Sequence, residues 1–239
     1  SKQDKLNLKN SLSDISHQLK TPLTSISIML DNIIDNPEMD KQTRTDFVKD
    51  IKREIININF LVNSLLKLSK LDANSVKFVN REETVENLVN ESIKNVATLC
   101  DLRNVQINVT GNAQNKINCD LKWQVEALTN ILKNAIEHSE INSRIEINYE
   151  QNNLYTQIEI KDYGKGIAKK DLPHIFERFY KGENSSSESV GIGLALAKSI
   201  IESNEGYIEV ESQEKVGTTF KIKLFSVPLG TDLFGTSEK

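Results

Sequence analysis

The chain is short of cysteine, of net charge and of long apolar runs. Its two cysteines, Cys100 and Cys119, have no CxxC spacing and no histidine cluster beside them. They predict reduced thiols of a cytosolic protein, not a disulfide framework or a zinc site. The formal net charge of −4 gives no sign of nucleic-acid binding. No apolar run approaches the roughly 18 residues that a membrane-spanning helix needs, and no signal peptide opens the sequence.

Proline is also scarce, and the first of the four prolines falls inside a helical pattern. Residues 1 to 35 carry one apolar stripe at steps of three and four, which predicts a helix. His17 falls on the opposite, solvent-facing side, and Thr21 follows one turn later on the same side. Pro22 cannot donate to the carbonyl of Gln18, so we expect a kink beside His17. The pattern predicts either a reaction centre or a plain surface histidine.

A second helix is predicted from residue 41 to residue 71, after the turn signal at Asn36-Pro37. Its apolar face is wider than one antiparallel partner can cover. Two such hairpins can bury these faces in a four-helix bundle, so the sequence predicts a homodimer. The alternative is that the surplus face packs on the following domain. The polar break at residues 72–75 is the best domain boundary.

Beyond this break the pattern changes to mixed strands and helices. Helices are predicted at 84–99, 121–138, 170–176 and 191–203, and strands at 76–79, 105–109, 145–149, 154–161, 207–211 and 218–224. This order predicts helices packed on one face of a mixed sheet, an α+β two-layer sandwich. The predicted domains are therefore 1–72, an all-α helical hairpin, and 76–227, with a flexible tail at 228–239.

Several polar and glycine-bearing segments of the second domain suit a phosphate ligand. Asn130 and Asn134 share one helical face, where amide oxygens can hold Mg²⁺. Asp162 ends a strand, where a carboxylate can accept a hydrogen bond from an exocyclic amine, and Gly164 and Gly166 follow it. The segment from Gly191 through Gly193 to Leu194 opens a helix, whose free N–H groups attract anions. Each of these signals alone is weak.

Another segment lies between the glycine-bearing ones and combines aromatic and basic residues. It reads Phe-Glu-Arg-Phe-Tyr-Lys over 176–181 and is followed by small polar residues at 182–189. Arg178 and Lys181 could meet phosphate charge, and the small polar run suits a mobile lid. The alternative is a solvated loop with two surface cations.

Taken together, the motifs resemble the catalytic core of two-component sensor histidine kinases. Residues 17–22 resemble the phosphoacceptor box, 130–139 the N box, 162–167 the first glycine box, 176–180 the F box and 191–196 the second glycine box. The resemblance implies a dimeric phosphotransfer hairpin followed by a Bergerat-type ATP-binding domain. It implies Mg-ATP as phosphoryl donor and a response-regulator aspartate as acceptor. It also implies a cytoplasmic location, with membrane attachment only through segments outside this chain.

The resemblance assigns roles to individual residues of this sequence. His17 is the implied phosphoacceptor, flanked by Gln18 and Thr21, and Thr21 resembles the residue implicated in dephosphorylating the partner. Asn130 and Asn134 are the implied Mg²⁺ ligands, and Asp162 recognises adenine. The other implied nucleotide contacts are His138, Gly164, Gly166, Ile167, Arg178, Tyr180, Lys181, Gly191, Gly193, Leu194 and Thr218.

Three positions depart from the family pattern. Gln18 stands where the family often has a carboxylate, and an amide cannot accept a proton as a base. A histidine in water has a pKa of ~6.5 and is largely neutral at pH 7, so we expect autophosphorylation to be retained but slower. Glu137 replaces a common lysine, and Ala195 replaces a common glycine. The alternatives are therefore a kinase-impaired regulator phosphatase and a nucleotide-dependent interaction switch.

Overall fold

The computed structural model of the chain describes residues 2–182 and 191–225. Within these ranges, side chains are described from residue 13 onward. The chain divides into two compact units, Ser1–Lys67 and Leu68–Lys239. Among the described residues, no helix combines the length and the apolar character required to cross a membrane.

The first unit contains two long helices joined by a short turn. Helix α1 covers Lys2–Asp35 and continues through Pro22, so the kink beside His17 stays a prediction. Helix α2 covers Lys41–Asp72. Asp40 begins α2 as its cap, because its carboxylate accepts the Thr43 N–H at 2.9 Å and the Thr43 hydroxyl at 2.6 Å. Both helices lie within a residue or two of the ranges that the apolar periodicity predicts.

The described residues of the second unit form two sheets. The strands are β1 (Arg81–Thr84), β2 (Gln106–Gly111), β3 (Lys116–Cys119), β4 (Arg144–Gln151), β5 (Tyr155–Asp162), β6 (Tyr207–Gln213) and β7 (Gly217–Phe225). Strands β1 and β3 form an antiparallel pair. The larger sheet has the order β2-β4-β5-β7-β6, in which only β2 and β4 run parallel. Asp162, at the end of β5, is opposite Ile145 on one side and Thr218 on the other.

Three α-helices complete the described part of the second unit, namely α3 (Val85–Arg103), α4 (Leu121–His138) and α5 (Gly193–Ser203). Helix α4 contacts α3, α5 and β5. Its buried residues recur at steps of three and four, as in Ala127, Leu128, Ile131 and Ala135. They meet the inward-facing residues of the sheet, which alternate along each strand. The predicted α+β two-layer sandwich is confirmed.

The start of α4 is fixed by one side chain that serves two segments. Asp120 accepts the Trp123 N–H at 3.3 Å and so caps the helix. The same carboxylate accepts the N–H of Val79 at 2.9 Å. Phe78, the residue before Val79, packs edge-on against the Trp123 ring. The α4 helix is thereby anchored to the segment that enters the domain.

The structure corrects some local predictions. Residues 76–79 do not form a strand, and the first strand is β1. The sequence pattern does not predict β1 or its partner β3, because both strands are short and rich in polar residues. The helix expected at 170–176 is only a short 3₁₀ turn, Leu172–His174, where Pro173 restricts the backbone. The predicted lid at 182–189 and the predicted tail at 228–239 lie almost entirely outside the described residues.

Candidate functional site

The most constrained predicted residue is Asp162, which is 2% exposed at the end of β5. Its Oδ1 accepts the backbone N–H groups of Gly164 at 2.9 Å and Thr218 at 3.3 Å. No other hydrogen bond to this carboxylate is present among the described residues, so Oδ2 remains an available acceptor. A buried carboxylate with one free oxygen suits recognition of a donor such as an exocyclic amine.

The loop that follows Asp162 packs so closely that glycine is required at two positions. A Cβ on Gly164 would lie 2.0 Å from the carbonyl oxygen of His138, at the end of α4. Gly166 has a φ of +70°, and a Cβ there would lie 2.1 Å from the carbonyl oxygen of Gln213. The N–H of Ile167 then donates to the Ser212 hydroxyl at 2.8 Å. The first glycine segment is therefore held between α4 and β6.

Burial also changes the protonation of Asp162. Removal from water raises the pKa of its carboxyl from 3.8 to about 6, although its two backbone N–H donors oppose the rise. The carboxyl is ionised at pH 7. Since the folded pKa exceeds the unfolded one, its contribution to stability is full below about 3.8 and is lost as the pH rises through about 6.

We predict that affinity for an adenine nucleotide falls as the pH drops below about 6, because a protonated Asp162 offers a poorer acceptor to the amine. The loss approaches tenfold per pH unit where ligand binding requires the ionised form. Calorimetric titration of ADP between pH 5 and pH 7 (roughly one unit on either side of the pKa) measures it. In Asp162→Asn the ADP phosphates still titrate, but the carboxyl is gone, so the additional fall in affinity should be absent. Identical pH profiles of ADP affinity for the native chain and Asp162→Asn would contradict the prediction.

A second cluster joins Asn130 to the start of α5. Asn130 is 7% exposed, and its amide nitrogen donates to the carbonyl of Glu126 at 2.9 Å. Its Oδ1 faces Gly193, where a Cβ would come within 2.8 Å of that oxygen. Asn134, one turn later and half-buried, makes no hydrogen bond within the described part of the chain. The Asn130 amide oxygen thus lies beside the N-terminus of α5, where Leu194 is the second residue.

His138 connects these two clusters at the end of α4. Its carbonyl accepts the Lys165 N–H at 3.3 Å. Burial lowers the pKa of its half-buried ring, and the charges of Lys165 and Arg103 lower it further. The ring is therefore neutral at pH 7 and can accept or donate a hydrogen bond. Glu137, the residue before His138, forms an ion pair with Lys133 at 3.8 Å. The position where the family commonly has a lysine therefore carries a glutamate that is paired with a lysine one turn earlier.

The aromatic-basic segment and the second glycine segment meet through the backbone. The Phe179 N–H donates to the carbonyl of Gly191 at 2.8 Å. Phe179 has a φ of +65° and Gly191 a φ of +72°, and positive φ is uncommon for a bulky residue such as phenylalanine. The Tyr180 hydroxyl donates to the buried Asp171 at 2.7 Å. Tyr180 is thereby fixed at the base of the segment that leads toward residue 182.

Arg178, a predicted phosphate contact, is already paired. Its Nη2 donates to both carboxylate oxygens of Asp72, at 2.7 and 2.9 Å. Asp72 ends α2 and belongs to the second compact unit. Lys181 is exposed. These contacts do not bring Arg178 to the clusters around Asp162 and Asn130, so its contact with phosphate stays a prediction.

The described surface also includes a groove of about 650 Å³ at the opposite, N-terminal end of α4. Arg81, Glu91, Cys119 and Lys122 are among its lining residues. Burial raises the pKa of the Cys119 thiol to about 12, so this cysteine is an inert thiol, as is expected of a buried, reduced residue. None of the predicted site residues lines this groove.

Two residues of the site region could not be recognised from the sequence. Asp171 accepts a hydrogen bond from Tyr180 of the aromatic-basic segment, and Ser212 accepts one from Ile167 of the first glycine segment. Each lies in a stretch without a motif, and an isolated aspartate or serine is common on any protein surface. For Ser212, the sequence offers one signal, which is the alternation along β6 that places its side chain on the same face of the sheet as Thr218.

The remaining candidates lie in the first unit. His17 is exposed on α1, as the helical spacing predicts. Thr21 is exposed one turn later, and its hydroxyl donates to the carbonyl of His17 at 3.3 Å. Gln18 is half-buried. An exposed imidazole on a rigid helix is accessible to a reacting partner.

Comparison with known families assigns both units. Residues 7–74 match the His Kinase A (phospho-acceptor) domain. Residues 119–228 match the histidine kinase-, DNA gyrase B-, and HSP90-like ATPase family. The first match contains His17, and the second contains both asparagines of α4, Asp162 and Thr218.

Curated relatives extend the similarity across both units. Sensor protein SrrB of Staphylococcus aureus is 30% identical over 234 residues, which cover 90% of this chain and 38% of that protein. Sensor protein KdpD of Clostridium acetobutylicum is 30% identical over 223 residues, which cover 92% of this chain and 24% of that protein. The chain therefore spans about a quarter to two fifths of the length of these relatives.

Solved structures show the same fold at lower identity. Acinetobacter baumannii histidine kinase AdeS matches with a TM-score of 0.71 and 23% identity, over 88% of this chain and 98% of that one. Histidine kinase ThkA, crystallised in complex with response regulator protein TrrA, matches with a TM-score of 0.71 and 19% identity, over 97% of this chain and 66% of that one. With both domain matches in chain order, the chain belongs to the two-component sensor histidine kinases and carries their phospho-acceptor and ATPase domains.

Proposed function

We propose that this chain is an ATP-dependent protein histidine kinase. It transfers the γ-phosphoryl group of ATP to His17 and then to an aspartate on the receiver domain of a response regulator. The observation that carries the proposal is the presence, in one chain, of an exposed histidine in a phospho-acceptor domain and a buried acceptor carboxylate, Asp162, in an ATPase domain.

The chemistry of the first transfer is a displacement at phosphorus. A ring nitrogen of His17 supplies its lone pair, the bond from the γ-phosphorus to the bridging oxygen breaks, and ADP leaves with that electron pair. Such a transfer needs positioning and charge stabilisation more than covalent help. Asp162 would hold the base, and the N-terminus of α5 at Gly193 would face the phosphates.

Asn130 supports transfer rather than hydrolysis. An amide cannot remove a proton from water, so this helical position offers no general base next to the nucleotide. Its oxygen instead lies against Gly193, close to the α5 N-terminus. The γ-phosphoryl group would then be preserved for a ring nitrogen of His17, which acts as the nucleophile.

Mg²⁺ is part of the proposal, with Asn134 and Asn130 as its ligands. Hard amide oxygens suit this ion when phosphate oxygens and water complete the shell. The Asn134 side chain has no hydrogen-bond partner within the part of the chain that is described, so it is free to bind. When bound, the ion would neutralise developing charge on the phosphates.

We predict that Asn134→Ala weakens ADP binding in the presence of Mg²⁺ by roughly tenfold or more, because a ligand to the ion is removed. In EDTA the variant and the native chain should bind ADP equally. Asn134→Asp keeps an oxygen ligand and should retain most of the affinity. Asn148→Ala, on an exposed position of β4, is the control. A loss of equal size in EDTA would contradict the assignment of Asn134 to the ion.

A homodimer through the helical hairpin is also proposed. Exposed apolar residues recur at heptad spacing on both helices, at Leu23 and Leu30 on α1 and at Val48, Ile55 and Val62 on α2. Each is at least 39% exposed in the single chain. Such paired stripes are typical of helices that bury a further helical surface, as in a four-helix bundle.

The partner and the location rest on the resemblance. The receiver domain of a response regulator is the proposed phosphoryl acceptor, and the complex of ThkA with TrrA supports this class of partner. Thr21 is proposed to orient water during dephosphorylation of that partner. We propose that the chain acts in the cytoplasm as the kinase portion of a membrane-bound sensor.

The experiment that tests this function compares ATP labelled at the γ-phosphate with ATP labelled at the α-phosphate. We expect protein-bound label from the γ-position only, labile in acid and stable in base, as for a phosphorylated histidine. Release of free phosphate without protein label would indicate an ATPase. Intact ATP binding with no label would favour the switch or the regulator phosphatase, which a phosphorylated receiver domain would then separate.

A further inference from the structure

The hydroxyl of Ser212, on β6, connects the first glycine segment to the strand that carries Thr218. It accepts the N–H of Ile167 at 2.8 Å and donates to the carbonyl of Gly217 at 3.0 Å. It also lies 2.8 Å from the hydroxyl oxygen of Thr218. Ser212 is half-buried, whereas Thr218 is 5% exposed. A single hydroxyl therefore serves three groups.

The distance between the two hydroxyl oxygens leaves the donor open, and counting protons assigns it. A serine hydroxyl has one proton and two lone pairs. The proton of Ser212 is directed to Gly217, and one of its lone pairs accepts the Ile167 N–H. Only a lone pair remains for Thr218, so the Thr218 hydroxyl must be the donor. Thr218 then presents lone pairs, and no proton, to its remaining surroundings.

The neighbouring carboxylate presents the same polarity. Asp162 uses Oδ1 for the N–H groups of Gly164 and Thr218, which leaves Oδ2 as a second acceptor. Thr218 is bonded to Asp162 through its backbone N–H at 3.3 Å, so its acceptor oxygen belongs to the same buried cluster. Acceptors alone favour a base that donates at this edge, and they disfavour a base that carries a carbonyl there.

We propose that Ser212 is a positioning residue that sets the base specificity of the nucleotide site. By taking the proton of Thr218, it makes that side chain an acceptor and favours a 6-amino purine over a 6-oxo purine. This inference rests on the proposed function, in which Asp162 recognises the exocyclic amine. It adds a residue that does not contact the nucleotide itself.

The test is the ratio of affinities for ADP and inosine diphosphate, which differ by an amine and a carbonyl at the same ring position. In Ser212→Ala the Thr218 hydroxyl is free to rotate and can donate to the carbonyl. We expect the preference for ADP over inosine diphosphate to fall about fivefold, the worth of one ordinary hydrogen bond. Any loosening of the glycine segment lowers both affinities and cancels in the ratio.

Three further variants make the result specific. Ser212→Thr restores a hydroxyl and should restore the ratio. Thr218→Val should lower the ratio as Ser212→Ala does, and combining the two substitutions should lower it no further, because both act on one bond. Ser92→Ala removes a buried hydroxyl that, among the described residues, bonds the Leu88 carbonyl within α3, and it should leave the ratio unchanged.

The outcomes separate this inference from the function on which it rests. A native chain that binds neither nucleotide overturns both. A native chain that binds ADP, with a ratio unchanged in Ser212→Ala and in Thr218→Val, overturns the role of Ser212 alone. Equal losses for both nucleotides in Ser212→Ala would show a purely structural serine, which also overturns the proposal.

Discussion

Asp162→Asn is expected to weaken ADP binding by roughly 100-fold, because a charged acceptor of the adenine amine is lost. The substitution is nearly isosteric. The backbone N–H groups of Gly164 and Thr218 hold an oxygen at the Oδ1 position, so the new NH₂ group takes the Oδ2 position. Two donors would then face each other in a buried site, which adds a desolvation penalty to the lost bond.

The same substitution should not destabilise the free protein at pH 7.5. Burial raises the pKa of this carboxyl from 3.8 to about 6, and each tenfold change in protonation is worth about 1.4 kcal/mol. Replacing the charge with an amide relieves up to about 3 kcal/mol of this cost, offset by the needs of the new NH₂ group. We therefore expect an unchanged or higher Tm together with the loss of binding.

Calorimetric titration and thermal melting of the same samples measure these two opposite effects. Glu159→Gln, which removes a half-buried carboxylate from the same strand, should change neither by much. Binding within threefold of the native value in Asp162→Asn would contradict the assigned contact with adenine. If the Tm of Asp162→Asn fell so far that the domain is unfolded at the assay temperature, the loss of ADP binding would be due to unfolding and not to the lost contact.

Those parts of the fold that have a strong period could be predicted from the sequence. Helix α4 begins and ends at the predicted residues, because Asp120 supplies a cap and its buried residues recur with helical spacing. The two long helices of the hairpin follow for the same reason. Strands β4 and β5 alternate between buried and more exposed residues, and this alternation is visible in the order of their apolar and polar amino acids.

The parts that could not be predicted depend on long-range contacts. Strand β3 has only four residues, and its partner β1 lies 35 residues before it, so no local pattern marks either strand. The pairing of Arg178 with Asp72 joins residues that are 106 positions apart. Ser212 likewise contacts Ile167 across 45 positions. Sequence periodicity records which residues are buried, and it does not record which distant groups they meet.

His17→Ala is expected to abolish phosphoryl incorporation while leaving ATP binding intact. The imidazole is the only group proposed to form a bond to phosphorus in the first transfer, and alanine offers no substitute nucleophile. His17 belongs to the first compact unit, whereas Asp162 and both asparagines of α4 belong to the second. The Kd for ADP should therefore stay within about twofold of the native value, a change of about 0.4 kcal/mol, which is within the ~0.5 kcal/mol expected for independent sites.

The most direct test is to locate the label on the chain. The native protein is incubated with Mg-ATP, kept at alkaline pH, digested and analysed by mass spectrometry. Only three histidines are present, His17, His138 and His174, so the assignment is unambiguous. We expect one added phosphoryl group on the peptide that contains His17, and none in His17→Ala. A phosphoryl group on either other histidine, or one that persists in His17→Ala, would contradict the role of His17 as the phosphoacceptor.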